Sequence, residues 1–152
     1  MTTEDNKYYL ASVDIGQTIT TKDKDLIISF QVTATREQKC TGNYLKFFGE
    51  FFDQYHFSGD SSYEIMFGPD YCQAVNDNVH LILRRNGKEF KMTDRVRAYH
   101  DQHTHLYTFR MYKNHTYSVE VDERVVSHGW MSDRWKCFVH PEVWLITYYT
   151  FS

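Results

Sequence analysis

The sequence has little proline and little glycine, 2 and 7 residues respectively in a chain of 152. Together with an aromatic content of 17%, this scarcity argues against a disordered chain and favours one folded domain. Lysine and arginine (17) do not outnumber aspartate and glutamate (20), so the composition gives no reason to expect nucleic acid or a membrane surface as a partner. No apolar stretch is long enough to span a bilayer.

Cysteine is also scarce, with three residues, so one is left over if two form a disulfide. A pair with an odd thiol is compatible with an oxidising compartment but does not require one. The polar start at residues 1–7 does not fit a secretory signal peptide, and the last residues contain no Lys-Asp-Glu-Leu-type retention tail. We therefore expect neither signal within this sequence.

The sequence does contain a series of short alternating segments rich in tyrosine, phenylalanine, valine and threonine, which favours an all-β fold. The predicted strands cover residues 8–13, 26–34, 79–84, 89–92, 105–112, 116–121 and 125–126, and residues 16–24 are predicted to be a polar connection. Asn86-Gly87 predicts a tight hairpin turn, and a second hairpin is centred on residues 113–115. No helix of convincing length is predicted, so the expected architecture is an antiparallel sandwich.

The stretch from Cys40 to Cys72 combines two such strands with a polar loop. Residues 40–48 and 63–72 alternate, and the loop between them ends at Ser58-Gly59-Asp60. Each strand has a cysteine at its outer end. If the strands are antiparallel neighbours, these ends lie close together and a Cys40–Cys72 disulfide is geometrically reasonable, which leaves Cys137 as the free thiol.

Alternation within the first of these strands places Tyr44 and Lys46 on one face and Leu45 on the other. We expect Tyr44 and Lys46 to point outward, and the second strand adds Tyr63 and Asp70. Aromatic rings stack on the C–H faces of sugars, while carboxylate and ammonium groups hydrogen-bond to hydroxyls. These residue types therefore suit a carbohydrate, and the alternative is a solvated strand face without a specific ligand.

Three motifs resemble the signature of the calreticulin and calnexin family, on its calreticulin branch. They are Cys40-Thr41-Gly42-Asn43-Tyr44-Leu45-Lys46-Phe47-Phe48, Ile65-Met66-Phe67-Gly68-Pro69-Asp70-Tyr71-Cys72 and Thr104-His105-Leu106-Tyr107-Thr108. The resemblance runs from about Lys24 to Trp135. It departs from the family where Thr41 and Asn43 replace glycines and where Gln73 replaces a small residue.

The resemblance implies a concanavalin-like jelly-roll lectin domain that acts as a chaperone in the endoplasmic reticulum lumen and is not an enzyme. Its implied partners are the monoglucosylated, mannose-rich glycans of newly made glycoproteins and unfolded polypeptides. It also implies calcium, whose ligands in the family lie outside the matched region. Carried over residue by residue, the implied sugar contacts are Tyr44, Lys46, Gly59, Asp60, Tyr63, Met66, Asp70 and Ile82.

Relative to the family, we expect residues 1–135 to form a partial lectin domain and residues 136–152 to form an unmatched apolar tail. The first strands, the proline-rich arm that recruits other folding factors, and the final segment of the family are not found. The tail is either a substitute edge strand or sequence from an alternative transcript, and we prefer the second interpretation. We therefore expect weakened sugar binding, lost cover over Phe47, Phe109 and Val119, and self-association through open sheet edges.

Two other functions are compatible with the sequence. The first alternative is a polypeptide-binding or inactive fragment with exposed apolar surface. The second is a glycoside hydrolase-like sandwich. The hydrolase alternative rests on Glu120-Val121-Asp122-Glu123, which begins like the Glu-x-Asp-x-Glu strand of some glycosidases. Arg124 follows where the third carboxylate is needed, so we prefer a polar outer face before a turn.

Three smaller motifs suggest other chemistry. His103 and His105 share a strand face and invite a zinc interpretation, but no third ligand has diagnostic spacing. Cys137 and His140 lack the orienting partner of a nucleophile–base pair. Asn114-His115-Thr116 is a glycosylation acceptor triplet in a predicted turn, relevant only in the secretory pathway.

Overall fold

The computed structural model describes residues 9–34, 40–72, 77–135 and 145–151. In these ranges the chain forms eleven strands and one short helix. They are β1 (Ala11–Thr20), β2 (Leu26–Thr33), β3 (Cys40–Gly42), β4 (Leu45–Phe48), β5 (Ile65–Cys72), β6 (Asn78–Arg85), β7 (Lys88–Lys91), β8 (Thr104–Met111), β9 (Thr116–Val121), β10 (Arg124–Trp130), α1 (Met131–Arg134) and β11 (Leu145–Phe151). The prediction of an all-β fold is confirmed.

The strands form two antiparallel sheets. The larger sheet has the order β1-β11-β4-β5-β6-β7, with β3 also paired to β5, and the smaller sheet has the order β10-β9-β8-β2. Each sheet has an apolar face that is turned toward the other sheet. Because these two faces can leave water only by covering each other, the sheets pack as a sandwich.

The core lies between the two sheets and contains alternate residues of both. Ile65, Phe67 and Leu83 of the larger sheet and Phe109 and Val119 of the smaller sheet are all 0% exposed. The expectation that Phe109 and Val119 lose their cover is therefore wrong, because the opposite sheet covers them. Self-association through open sheet edges stays a prediction.

Several local predictions are confirmed. Leu26 and Ile28 of β2 are buried in the core, as the alternation of this strand predicts. Asn86 and Gly87 form the turn between β6 and β7 with φ values of 49° and 74°, the positive angles that a tight hairpin turn requires. A disulfide joins Cys40 of β3 to Cys72 of β5. The predicted free thiol at position 137 lies outside the described residues.

The first strand is longer than predicted. β1 includes residues 16–20, which the sequence analysis interprets as part of a polar connection, while position 8 lies outside the described residues. The register of β1 against β11 shifts between Asp14 and Ile19, and Gly16 within the shift has a φ of 75°. Strand pairing continues past the irregularity because β11, a distant segment, supplies the hydrogen bonds.

β11 lies inside the larger sheet. It pairs with β1 on one side and with β4 on the other, and Ile146 is 1% exposed within the main core. The interpretation of residues 145–151 as an edge strand is therefore wrong. The origin of residues 136–152 in an alternative transcript stays a prediction, and residues 136–144 lie outside the described part of the chain.

Candidate functional site

The outer face of the larger sheet, on the side away from the core, carries most of the predicted sugar contacts. The register places Lys46 of β4, Met66 of β5 and Ile82 of β6 side by side across three neighbouring strands. A second hydrophobic cluster, which we call the outer-face cluster, covers this face. It consists of Phe48, Tyr63, Met66 and Ile82, with Tyr44 and Phe52 packed against them.

The loop of residues 49–63 folds back over this face. The ring of Phe52 stacks on Phe48 with 4.0 Å between centroids, and Nζ of Lys46 donates a hydrogen bond of 2.8 Å to the carbonyl oxygen of Gly59. Lys46 lies on the outward face, as predicted, but it is only 9% exposed because the loop covers it. The alternation of one strand cannot reveal the covering loop.

Burial and neighbouring charges together determine the pKa of Lys46. Burial lowers the pKa of its ammonium group, and the carboxylates of Asp60 and Glu89 oppose this shift without cancelling it. The Nζ atom lies 5.3 Å from the ring centroid of Tyr63, within the range of a cation–π contact. Lys46 has three N–H donors, and the bond to Gly59 uses one of them.

Tyr63 is oriented by a carboxylate that the sequence pattern does not predict. Its hydroxyl donates a hydrogen bond of 2.8 Å to Oε1 of Glu89 on β7. Burial raises the pKa of the Tyr63 hydroxyl, and the bond to Glu89 raises it further. Because its proton is directed to Glu89, the phenol oxygen is left to accept a hydrogen bond from a ligand. No sequence signal links Glu89 to Tyr63, since the contact depends on the path of the covering loop.

A second polar group lies next along the strands. Nε2 of His80 is 3.3 Å from Oδ2 of Asp70, and the ring centroids of His80 and Tyr44 are 6.1 Å apart. All three side chains are half-buried. His80 was not predicted as a site residue, although it alternates with Ile82 on β6 and therefore shares its face. That alternation is the signal that identifies it.

Two glycines allow this close arrangement. Gly68 pairs with His80 across the strands, and a Cβ atom at Gly68 would collide with the carbonyl oxygen of Asn43. A Cβ atom at Gly42 would collide with the ring of Tyr44. Gly68 therefore allows the close approach of the backbone at Asn43 and Tyr44, and Gly42 leaves room for the Tyr44 ring.

The structure brings the predicted residues to one region. The sheet face and the end of the covering loop supply Tyr44, Lys46, Tyr63, Met66, Asp70 and Ile82, and the loop adds Gly59 and Asp60. Apolar side chains, phenol oxygens, carboxylates and an ammonium group thus lie close together. Such a surface matches ligands that alternate C–H patches with hydroxyl groups.

Glu120 and Asp122, the carboxylates on which the hydrolase alternative depends, bind different partners. Glu120 accepts a hydrogen bond of 2.8 Å from Nε of Arg110. The strand ends at Val121, and Asp122 has a φ of 51° in the following turn, where it binds His105 at 2.7 Å. Each of these two carboxylates is therefore bound to a different basic side chain.

His105 is held by two carboxylates. Its Nδ1 lies 2.7 Å from Oδ2 of Asp122 and its Nε2 lies 2.8 Å from Oδ1 of Asp101. Burial opposes protonation, but these two bonds raise the pKa of His105 above its usual value. The bond from His105 is the main cause that lowers the pKa of Asp101 to about 2. Within the described ranges, no group of three or more His, Cys, Asp or Glu side chains is arranged to hold a metal ion.

Comparison with known proteins identifies the family. The model of the calreticulin family matches residues 1–145. Calreticulin of Bos taurus is 35% identical over 141 residues, which cover 93% of this chain and 33% of the relative. The chain belongs to the calreticulin family. Calreticulin of Schistosoma mansoni is similar as well, with 34% identity over 134 residues that cover 88% of this chain and 34% of the relative.

The globular domain of T. cruzi calreticulin has the same fold. The two structures match with a TM-score of 0.87 and 27% sequence identity, over 97% of this chain and 64% of that one. The sandwich is therefore the jelly roll of the calreticulin globular domain, and the predicted fold class is confirmed. The chain spans about a third of the length of the curated calreticulins that it matches. In the part of the chain that the structure describes, no helix has the length and apolarity to cross a membrane.

Proposed function

We propose that the chain is a calreticulin-like carbohydrate-binding chaperone domain without enzymatic activity. Its ligands are the monoglucosylated, mannose-rich glycans of unfolded glycoproteins. The observation that supports this function is the convergence of aromatic, acidic and basic side chains with the outer-face cluster on one side of the larger sheet. Membership of the calreticulin family supports this class of ligand.

The polar residues of the face have separate roles in this proposal. Tyr44 is half-buried beside the Asp70–His80 pair, so its ring stacks on a sugar and its hydroxyl bonds to one. Asp70 accepts hydrogen bonds from sugar hydroxyls, and Asp60 accepts at the loop side. Lys46 donates with the N–H groups that its bond to Gly59 leaves over.

The remaining residues shape the surface. Met66 and Ile82 are buried side by side beneath the polar groups and supply an apolar floor for the C–H face of a sugar. Gly59 fixes Lys46 through its carbonyl oxygen. Tyr63 contributes a phenol oxygen whose orientation is set by the bond to Glu89.

We further propose that the protein works in the lumen of the endoplasmic reticulum. The Cys40–Cys72 disulfide supports this location, because disulfides persist in oxidising compartments. Calcium is proposed at the level of the family alone. The described residues offer no cluster of three ligating side chains, so calcium is not assigned to any of them.

Isothermal titration calorimetry with a monoglucosylated mannose oligosaccharide tests the sugar-binding proposal. Asp70→Ala removes a charged acceptor, and a hydrogen bond to a charged group contributes about 1.5–3 kcal/mol. The affinity of this variant is therefore expected to fall at least about tenfold. Asp133→Ala is the matched control, because Asp133 is exposed and lies on α1.

A second pair of variants tests the aromatic contact. Tyr44→Ala is expected to weaken binding, whereas Tyr55→Ala is expected to leave it unchanged, because Tyr55 is 93% exposed on the covering loop. Unaltered affinity in both Asp70→Ala and Tyr44→Ala would remove these residues from the site. The absence of any heat of binding with the unaltered chain would refute the sugar-binding function itself.

Direct binding of unfolded polypeptide is the second candidate function. The observation that favours it is the exposure of Phe51 and Tyr55 on the covering loop, which is 98% and 93% respectively. Competition separates the two functions, since free glucosylated oligosaccharide displaces a glycoprotein from a lectin but not from a surface that binds polypeptide. Loss of glycoprotein binding in Phe51→Ser, without an effect of oligosaccharide, would favour the second function.

A further inference from the structure

The turn between β8 and β9 contains the only Asn-x-Ser/Thr triplet of the sequence, Asn114-His115-Thr116. The triplet is the acceptor pattern of N-linked glycosylation. Residues 113–115 form the exposed tip of the hairpin, at one end of the smaller sheet. The candidate sugar-binding face lies on the other sheet, so this turn is not part of that site.

Two hydrogen bonds that anchor the turn do not use the Asn114 side chain. The N–H of Lys113 donates to Oδ1 of Asp25 at 2.8 Å, and the N–H of Met131 donates to the carbonyl oxygen of His115 at 3.0 Å. His115 has a φ of 72°, which turns the chain back into β9. A bulky group on the Asn114 side chain would therefore break none of these bonds.

The Asn114 side chain has the geometry of an acceptor. Its Oδ1 accepts two hydrogen bonds from Thr116, at 3.1 Å from the backbone N–H and at 2.6 Å from the hydroxyl. In the described part of the chain, its Nδ2 has no hydrogen-bond partner. Two donors on the amide oxygen withdraw electron density from the amide, which makes a proton on Nδ2 easier to remove.

This arrangement is local. It involves residues 114–116 alone, as in other turns closed by an asparagine side chain, so it can form in a chain that has not yet folded. The same contacts then place the modified nitrogen at an exposed turn in the folded protein. Sequence and structure thus agree on both the chemistry and the access that the modification requires.

We propose that Asn114 carries an N-linked glycan. In the transfer, a bond forms between Nδ2 and C1 of an oligosaccharide held on a polyprenyl diphosphate. The bond from C1 to the diphosphate oxygen breaks, the diphosphate leaves with the electron pair, and the Nδ2 proton passes to a base of the transferase. The proposal goes beyond sugar binding and shares with the proposed function only the secretory compartment, to which the disulfide also points.

Expression in eukaryotic cells behind a cleavable signal peptide tests the proposal. The unaltered chain is expected to carry one glycan that an Asn-glycan amidase removes, leaving aspartate at position 114 in the peptide mass spectrum. Asn114→Gln and Thr116→Val are expected to abolish the modification completely. Thr116→Ser keeps the hydroxyl that bonds to Asn114 and is expected to retain the modification. An intact disulfide in secreted Thr116→Val would show that its loss of the glycan does not arise from misfolding.

A second acceptor triplet shows whether the chain has reached the glycosylation machinery. Lys88→Thr completes an acceptor triplet at Asn86, in the exposed turn between β6 and β7. A chain that is modified at Asn86 but not at Asn114 would overturn the proposal, and so would a secreted chain with an intact disulfide and no glycan at Asn114. Because the readout is a mass, it does not depend on whether the chain binds oligosaccharide, and the two proposals fail separately.

Discussion

Ile146→Ala tests whether β11 completes the sandwich. Ile146 is 1% exposed, packs in the main core and pairs with Ile19 of β1. Replacing a buried isoleucine with alanine costs about 2–5 kcal/mol, through lost burial and the cavity that remains. For a domain of this size each kcal/mol lowers the melting temperature by about 2–4 °C, so a loss of about 3 kcal/mol lowers it by about 6–12 °C.

Ile27→Ala is the matched control. Ile27 also lies in a strand, β2, but it is 55% exposed. The same substitution there removes little buried surface, so the free energy of unfolding is expected to change by no more than about 0.5 kcal/mol. Urea unfolding followed by tryptophan fluorescence measures both variants, and a fall in midpoint at constant m-value reports stability alone. Equal midpoints for the two variants would refute the inner position of β11.

Deletion of residues 137–152 extends the same test. β1 pairs with β11 alone in the described sheet, and β4 loses one of its two neighbours without it. The deletion is therefore expected to lower the unfolding midpoint further than Ile146→Ala and to expose surface that binds a hydrophobic dye. Unchanged stability after deletion would mean that the segment is foreign to the fold.

Three further predictions concern single residues. Cys72→Ser opens a disulfide that closes a loop with a sequence separation of 32 residues, and chemical denaturation should show a loss of about 3–4 kcal/mol. The pKa of His105 is raised in the folded chain. Its contribution to stability is therefore present below the unfolded pKa of about 6.5 and is lost as pH rises through the folded pKa. His105→Gln should remove this dependence of the melting temperature on pH, whereas substitution of the exposed His128 by Gln should not. Gly68→Ala should destabilise the chain by about 1–3 kcal/mol through its collision with the backbone, whereas Gly59→Ala, with open space around it, should leave the midpoint unchanged.

The predictable parts of the fold are those that local pattern determines. The alternation of β2 and the turn at Asn86 and Gly87 depend on neighbours in sequence, and both are confirmed. The Cys40–Cys72 pair follows from one antiparallel pairing. β1 and β11 depend instead on each other across most of the chain, so the polar residues of β1 and the apolar run of β11 suggested a connection and a tail.

The candidate site shows the same division. Alternation correctly assigned Lys46 to the face opposite Leu45, but the covering loop decides its burial, and that loop is a tertiary feature. His80 was accessible to the same reasoning through its spacing from Ile82. Glu89 was not, because its bond to Tyr63 requires the β6–β7 hairpin and the covering loop to be placed together.

The most direct test of the central claim is an NMR titration of the labelled chain with monoglucosylated mannose oligosaccharide. We predict saturable shift changes at Tyr44, Asp70 and His80 on the outer face of the larger sheet. Ser29 and Thr108, whose hydroxyls bond to each other on the outside of the smaller sheet at 2.7 Å, should not shift. Changes confined to the smaller sheet, or no change at saturating oligosaccharide, would contradict the assignment of this face as a carbohydrate-binding site.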